Sequence, residues 1–173
     1  EDDSIYEVSE DFGMSINTPV NATLGTASAT AVIDDEPDTS TPPVDKDGDK
    51  PVVAIAATDA IATEGATDTA TFTITQTGAT DFDTTLNAQI DFPAGEAVLA
   101  DIATIVYTDA SGNATTLDAT QITALQNGTF SVSIPTTATQ APTFTITAED
   151  DSIYEVSEDF GMSINTPVNA TLG

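Results

Sequence analysis

The sequence predicts an all-β protein built as an antiparallel β-sandwich of about seven strands. The first observation behind this prediction is that short runs of alternating apolar and polar residues recur along the chain, as in strands with one buried face. The second is that these runs are rich in Val, Ile, Phe and Thr, and hydrophobic residues make up 39% of the 173 residues. Because β-branched and aromatic side chains suit a pleated surface, a folded β protein is favoured over a disordered acidic chain.

One long segment of the sequence occurs twice. Residues 1–25, EDDSIYEVSEDFGMSINTPVNATLG, recur without change at 149–173, which is a period of 148 residues. A period of this length corresponds to a whole domain, so the parent protein is predicted to be an array of similar modules. The expected organisation is the C-terminal part of one repeat (1–36), an acidic Pro-rich linker (37–51) and the next repeat without its last strand (52–173).

Each predicted strand is a short alternating run bounded by turn residues such as those at 109–113 and 126–128. In the second repeat the runs are VVAIAAT (52–58), TATFTITQT (69–77), TLNAQIDF (85–92), ATIVYTD (103–109), FSVSIP (130–135), PTFTITA (142–148) and EDFGMSIN (158–165). The run TASATAVI (26–33) predicts the last strand of the first repeat. One short helix is predicted from Asp118 to Leu125, with Asp118 as its N-terminal cap.

The chain is strongly acidic. It holds 29 Asp plus Glu and only two cationic side chains, Lys46 and Lys50, which gives a formal net charge of -27. Phosphate backbones and anionic lipid headgroups would repel such a surface, so we expect no nucleic-acid partner. No run of ~20 apolar residues is present, so no membrane insertion is expected.

A bound cation would offset this charge. Clusters of oxygen ligands suit a hard divalent ion, and many converging protein oxygens favour Ca²⁺ over Mg²⁺. The alternative is that the acidity only keeps a secreted protein soluble. Calcium is therefore the predicted cofactor.

Three groupings of carboxylates are the candidate ligands. Several carboxylates within a few residues repel one another unless water or a cation neutralises them. The first grouping is Asp150, Asp151, Glu155 and Glu158, with a copy at Asp2, Asp3, Glu7 and Glu10; the second is Asp34, Asp35 and Glu36; the third is Asp45, Asp47 and Asp49. The third grouping is not an EF-hand, because Lys50 stands where that loop needs Gly. It either chelates an ion between modules or is a solvated linker.

The segments DDSIYEVSEDFGMSI, NATLGTASATAVIDDE and ATEG resemble those of the Calx-β domain and of the related extender modules of RTX adhesins. The resemblance covers essentially one module and implies an Ig-like sandwich with Ca²⁺ at one pole. Carried over by motif, the implied ligands are Glu64, Asp150, Asp151, Glu155 and Glu158, with Asp34, Asp35 and Glu36 for the preceding module. Asp101 in LADI stands for the Asp of the family's Ser-Asp-Tyr segment, although the Tyr is absent here.

The expected function is structural. The chain holds no Cys and no His, which removes Cys-His and Ser-His-Asp nucleophilic systems, and it holds no Trp to form a sugar platform, so an enzyme is not expected. We expect a calcium-stabilised extender, or stalk, module of a large bacterial cell-surface adhesin involved in adhesion or biofilm formation. Such a protein would be extracellular and exported by type I secretion. The alternative is a module of the same protein that binds a carbohydrate, a protein or ice.

The expected partners are neighbouring repeats of the same protein. Because neither part of the chain holds a complete sheet by this interpretation, we expect residues 26–33 to complete the open edge of a neighbouring chain's module by head-to-tail strand addition. The alternative is a loosely ordered first part beside a module that tolerates its open edge.

Overall fold

A computed structural model describes residues 5–7, 9–33, 50–151 and 156–173. These residues form a mostly β structure with one α-helix, α1 (Ala119–Gln126), and one 3-10 turn (Leu99–Asp101). The strands are β1 (Ile5–Tyr6), β2 (Glu10–Ser15), β3 (Ser28–Ile33), β4 (Val52–Asp59), β5 (Ala70–Thr77), β6 (Ala79–Thr80), β7 (Thr84–Asp91), β8 (Ile102–Thr108), β9 (Ala114–Thr116), β10 (Phe130–Ile134), β11 (Thr143–Ala148), β12 (Gly161–Val168) and β13 (Thr171–Leu172). The predicted all-β fold is confirmed.

Two sheets enclose the core. One has the strand order β13-β4-β5-β11-β8-β9 and the other β10-β7-β12, and all neighbours are antiparallel except β13 and β4. Side chains alternate between the faces of a strand, so every second residue of β7 points inward: Thr84, Leu86, Ala88 and Ile90 are buried. The same alternation buries Phe130, Val132 and Ile134 of β10.

Aromatic side chains fill the centre of this core. Phe144 of β11 is fully buried, and its ring centroid lies 5.0 Å from that of Tyr107 and 5.4 Å from that of Phe130. Burial, with a smaller effect of the Asp109 charge, raises the pKa of Tyr107 to about 12. The cluster joins the two sheets, because Phe144 and Tyr107 belong to one sheet and Phe130 to the other. Replacing a buried Phe by Ala typically costs about 3–5 kcal/mol.

The predicted helix is present and is capped as expected. The Asp118 carboxylate accepts a hydrogen bond from the Gln121 backbone N–H (2.9 Å), and the Gln121 side chain accepts one from the Asp118 backbone N–H (3.0 Å). This reciprocal pair is a capping box, which satisfies two donors at the helix start. Leu125 is fully buried and anchors the helix on the core.

The described N-terminal residues contact the sandwich through β1, whereas β2 and β3 form a separate antiparallel hairpin. β1 pairs in parallel with β6, Ile5 opposite Ala79 and Tyr6 opposite Thr80. In the hairpin, every residue of β2 and β3 is exposed, including Phe12 and Met14. The identical segment of the second copy is 158–163, where β12 begins only at Gly161, and there Phe160 and Met162 pack against the core. The same sequence therefore has two environments.

The antiparallel strands bring their connections to two ends of the sandwich. The β4–β5, β7–β8 and β11–β12 connections lie at one end, which we call the acidic end. The β5–β7, β10–β11 and β12–β13 connections lie at the other, which we call the opposite end. Within the predicted linker (37–51), only Lys50 and Pro51 fall among the described residues.

Candidate metal site

Backbone hydrogen bonds hold the loops of the acidic end together. The Glu149 N–H donates to the Asp101 carbonyl oxygen at 2.8 Å, which joins the β11–β12 connection to the 3-10 turn that precedes β8. The Asp159 N–H donates to the Glu96 carboxylate at 3.1 Å, which joins the same two connections a second time. The β7–β8 and β11–β12 connections are therefore fixed to each other.

The β4–β5 connection joins this group at Gly65. Gly65 has φ +64°, and a side chain placed there would bring its Cβ to 3.2 Å from the Asp150 Oδ1 atom. Glycine adopts this left-handed conformation without steric cost and leaves room for the carboxylate. Gly65 thus allows Asp150 to approach the β4–β5 connection.

Four carboxylates from these three connections form what we call the four-carboxylate cluster: Glu64, Glu96, Asp101 and Glu158. Their interaction is visible in the pKa of Glu158, which is raised from its ordinary value of 4.5. Reduced hydration of its carboxyl group is the largest cause, and the negative charges of Asp101 and Glu96 come next. A hydrogen bond with Asp101 and the charge of Glu64 act in the same direction. Each therefore favours the neutral form of Glu158.

A cleft of about 370 Å³ lies at this end, with carboxylates of the cluster at its polar side. Glu64, Asp101 and Glu158 line it together with Thr63 and Ser157. Ile102, Ile146 and Phe160 supply apolar lining. The cleft offers carboxylate and hydroxyl oxygens without any cationic side chain, and this donor set fits a hard cation such as Ca²⁺.

Asp101 is oriented by its own turn. Its Oδ2 atom accepts a hydrogen bond from the Val98 N–H at 2.6 Å, which closes the 3-10 turn before β8. Among the residues that the structure describes, no group of three or more acidic side chains is arranged closely enough to hold a metal ion as it stands. A cation at this end would have to draw the four side chains of the cluster inward.

The structure brings several of the predicted ligands together at the acidic end. Glu64, Asp101 and Glu158 line one cleft, and Asp150 lies beside Gly65, whereas Asp151 is exposed. Glu7 and Glu10 are exposed on the N-terminal segment. The remaining predicted ligands lie outside the described residues: Asp2, Asp3, Asp34, Asp35, Glu36, Asp45, Asp47, Asp49 and Glu155.

Glu96 is the one member of the cluster that the sequence interpretation missed. It is a single acid after Pro93-Ala94-Gly95 and belongs to no acidic grouping in the sequence. The signal that could have found it is topological, because it shares the β7–β8 connection with Asp101. Loops at the same end of an antiparallel sandwich converge, so an acid in any of them is a candidate ligand.

A second carboxylate with a shifted pKa has a structural role instead. Asp109 at the β8–β9 turn accepts hydrogen bonds from the Asn113 side chain and N–H (both 2.9 Å) and from the Ser111 N–H (2.8 Å). These bonds favour the ionised form, those from Asn113 most, and hold the pKa of Asp109 below its ordinary value. They close a tight turn of the kind Asp commonly initiates.

The fold and the site together define a class of protein: an all-β sandwich whose loops gather carboxylates at one end. Comparison with known proteins identifies no matching family model, no similar curated protein and no similar solved structure. Within the part of the chain that the structure describes, no helix is long and apolar enough to cross a membrane.

Proposed function

We propose that the chain is part of a calcium-stabilised structural extender, or stalk, of a tandemly repeated bacterial cell-surface adhesin that takes part in adhesion or biofilm formation. In this proposal the sandwich is an Ig-like, Calx-β-like module, and the protein is extracellular and exported by type I secretion. The module has a mechanical role and no catalytic one. The observation that carries the proposal is the four-carboxylate cluster at the acidic end.

The cluster supports a cation because its charges come from three separate loops. Glu64 belongs to the β4–β5 connection, Glu96 and Asp101 to the β7–β8 connection, and Glu158 to the β11–β12 connection. Like charges within the cluster repel one another and oppose the close approach of these loops. A divalent cation reverses that effect, because each carboxylate that it binds ties one loop to the others.

Calcium is the cation that this donor set favours. Ca²⁺ accepts six to eight oxygen ligands in flexible geometry, whereas Mg²⁺ requires a near-ideal octahedron and keeps several of its waters. Loops of different length suit the more flexible ion. The chain also holds no His or Cys, which are the side chains that zinc and copper prefer.

The repeat supports a stalk. A segment of 25 residues recurs unchanged at a period of 148 residues. Repeating a module of that period increases the length of a chain with each copy, whereas recognition usually requires one tip domain. A rod also gains from a ligand that binds only the folded state, because such a ligand stabilises every module by mass action. Calcium in the medium would then stiffen the whole array.

Thermal unfolding with Ca²⁺, with Mg²⁺ and with chelator tests the calcium proposal. Ligand at a hundredfold excess over Kd adds about 2.7 kcal/mol, which corresponds to a rise in Tm of roughly 5–10 °C for a domain of this size. We expect that rise with Ca²⁺ and a smaller one with Mg²⁺. An unchanged midpoint in all three conditions would remove the proposal.

The internal copy supplies a matched control. Glu158→Gln removes one charge from the cluster, whereas Glu10→Gln makes the same change in the same local sequence on the exposed hairpin. We expect Glu158→Gln to lose most of the calcium-dependent rise and Glu10→Gln to keep it. Equal loss in both variants would place the stabilising ion elsewhere.

A second copy of the chain is the partner that we propose for the outer edge of β12. Among the described residues, β12 pairs with β7 on one side and with no strand on the other. Its sequence copy β2 pairs with β3, Phe12 opposite Ala31 and Met14 opposite Ala29. If β3 of the second copy left its own β2, the same register would set Met162 of β12 opposite Ala29 of that copy. β12 also begins three residues later than its copy does, as expected for a strand that lacks one neighbour.

Light scattering at increasing protein concentration tests this strand addition. We expect concentration-dependent association, and we expect Thr30→Pro in β3 to abolish it, because proline removes a backbone donor and is excluded from central strands. Thr30→Ala keeps that donor and should leave association intact. A strict monomer at high concentration would contradict the proposal.

A further inference from the structure

Tyr6 is buried although it belongs to a largely exposed segment. Its side chain is 8% exposed, whereas Phe12, six residues later on the hairpin, is 48% exposed. The surface that covers Tyr6 belongs to the sandwich. The ring of Phe82, between β6 and β7, lies 6.0 Å away at an interplanar angle of 66°. This is the edge-to-face arrangement that aromatic pairs prefer.

A cation and a strand pair complete the contact. The Lys50 Nζ atom lies 5.2 Å from the centre of the Tyr6 ring, within the range of a cation–π interaction. Lys50 is one of two cationic side chains in the chain and directly precedes Pro51, which is fully buried. Backbone pairing of Tyr6 with Thr80 fixes the approach of the segment. Two side-chain interactions and one backbone pairing therefore hold the same residue.

The sequence repeat relates this contact to a loop of the second module. Tyr6 has a sequence copy, Tyr154, in the β11–β12 connection of the second module, which is a loop of the acidic end. Phe82 lies in the β5–β7 connection, at the opposite end. A segment whose sequence copy belongs to the acidic end thus contacts the opposite end of the sandwich. The charges fit as well, since Lys50 stands at the end that receives an acidic loop.

We propose that Tyr6, Phe82 and Lys50 form the junction between consecutive modules, and that the partner of the opposite end is the acidic-end loop of another copy of the module. In an array, the acidic-end loop of each module would make the same contact with the module after it. The loop would then have two roles, because it carries Glu158 of the cluster and sets the angle to the next module. The inference rests on the proposed function only in treating the 148-residue unit as repeated.

NMR of the 173-residue chain tests the junction. We expect a nuclear Overhauser effect between the Tyr6 and Phe82 rings, and backbone order parameters near 0.85 for Ile5, Tyr6 and Glu7. Tyr6→Ala should abolish the first and lower the second below about 0.6, the value of a flexible backbone. Phe82→Ala should act in the same way. Lys50→Gln should reduce the nuclear Overhauser effect and the order parameters by a smaller amount.

The control is Phe12→Ala, which removes an exposed aromatic ring on the hairpin and should leave both readouts unchanged. Because Tyr6 lies outside the two sheets of the sandwich, Tyr6→Ala keeps the test valid even if Phe82→Ala unfolds. Order parameters below about 0.6 at Ile5–Glu7 in the unaltered chain would overturn the junction. So would unchanged values in Tyr6→Ala. The calcium site is read from Tm, so either proposal can fail alone.

Discussion

Asn169 shows how one residue combines local and long-range requirements. It has φ +60° in the β12–β13 connection, and its side-chain amide donates a hydrogen bond to the Asp83 carbonyl oxygen at 2.9 Å. Its copy, Asn21, has φ +58° on the exposed hairpin. The left-handed conformation is therefore set by the local sequence, since Asn tolerates it better than other non-glycine residues. The bond to Asp83 belongs to the folded sandwich.

We expect Asn169→Ala to lower the free energy of unfolding by roughly 2 kcal/mol, with about half from the left-handed conformation and half from the hydrogen bond. Asn169→Gly keeps the conformation and should lose only about 1 kcal/mol. Asn21→Ala changes the same sequence outside the sandwich and should stay within about 0.5 kcal/mol of the unaltered chain. Urea denaturation measures all three. A loss in Asn21→Ala equal to that in Asn169→Ala would contradict this assignment.

At the scale of elements, most strands of the sandwich could be predicted because one buried face imposes an alternating pattern. The run 85–92 predicts β7, and the structure has that strand at Thr84–Asp91. The helix and its Asp118 cap were predicted from a local motif. Among the strands that were missed, β1, β6, β9 and β13 are two or three residues long, which is too short for a pattern to show.

The N-terminal limit of β12 could not be predicted from the sequence. The alternating run indicates a strand from 158, but β12 begins at Gly161, whereas the identical segment forms strand from Glu10 in the first copy. The difference follows from the neighbours, because β2 pairs with β3 at those positions. The candidate site, too, could be predicted from the sequence only in part. Glu64, Asp101 and Glu158 were predicted from motifs, but Glu96 joins them only through the topology.

For the whole molecule, the dominant quantity is the charge of -27 on 173 residues. The pKa values of two carboxyl groups are shifted in opposite directions. The pKa of Glu158 is raised, so its folded state binds a proton more readily than its unfolded state does. The pKa of Asp109 is lowered, so its folded state favours the ionised form. Moderate acidification therefore reduces the charge repulsion within the cluster before it protonates Asp109 and weakens the β8–β9 turn.

This gives a prediction for the protein in chelator. As pH falls from 7 toward the ordinary pKa of Glu158, 4.5, stability should rise, because protonation removes a charge that Asp101, Glu96 and Glu64 repel. At more acidic pH, protonation of Asp109 should lower stability, because this carboxylate then loses hydrogen bonds that favour its charged form. Tm measured against pH should thus pass through a maximum on the acidic side of neutrality.

Charge repulsion across the surface also weakens on acidification, so the cluster is isolated by comparing variants. Glu158→Gln is neutral at every pH and should show a smaller rise in Tm between pH 7 and the maximum, whereas Glu10→Gln should follow the unaltered chain. Saturating Ca²⁺ should reverse the slope in the unaltered chain, because protons and calcium compete for the same oxygens and calcium binding weakens as pH falls. If Ca²⁺ leaves the slope unchanged, the carboxylates that titrate are not the carboxylates that bind the ion.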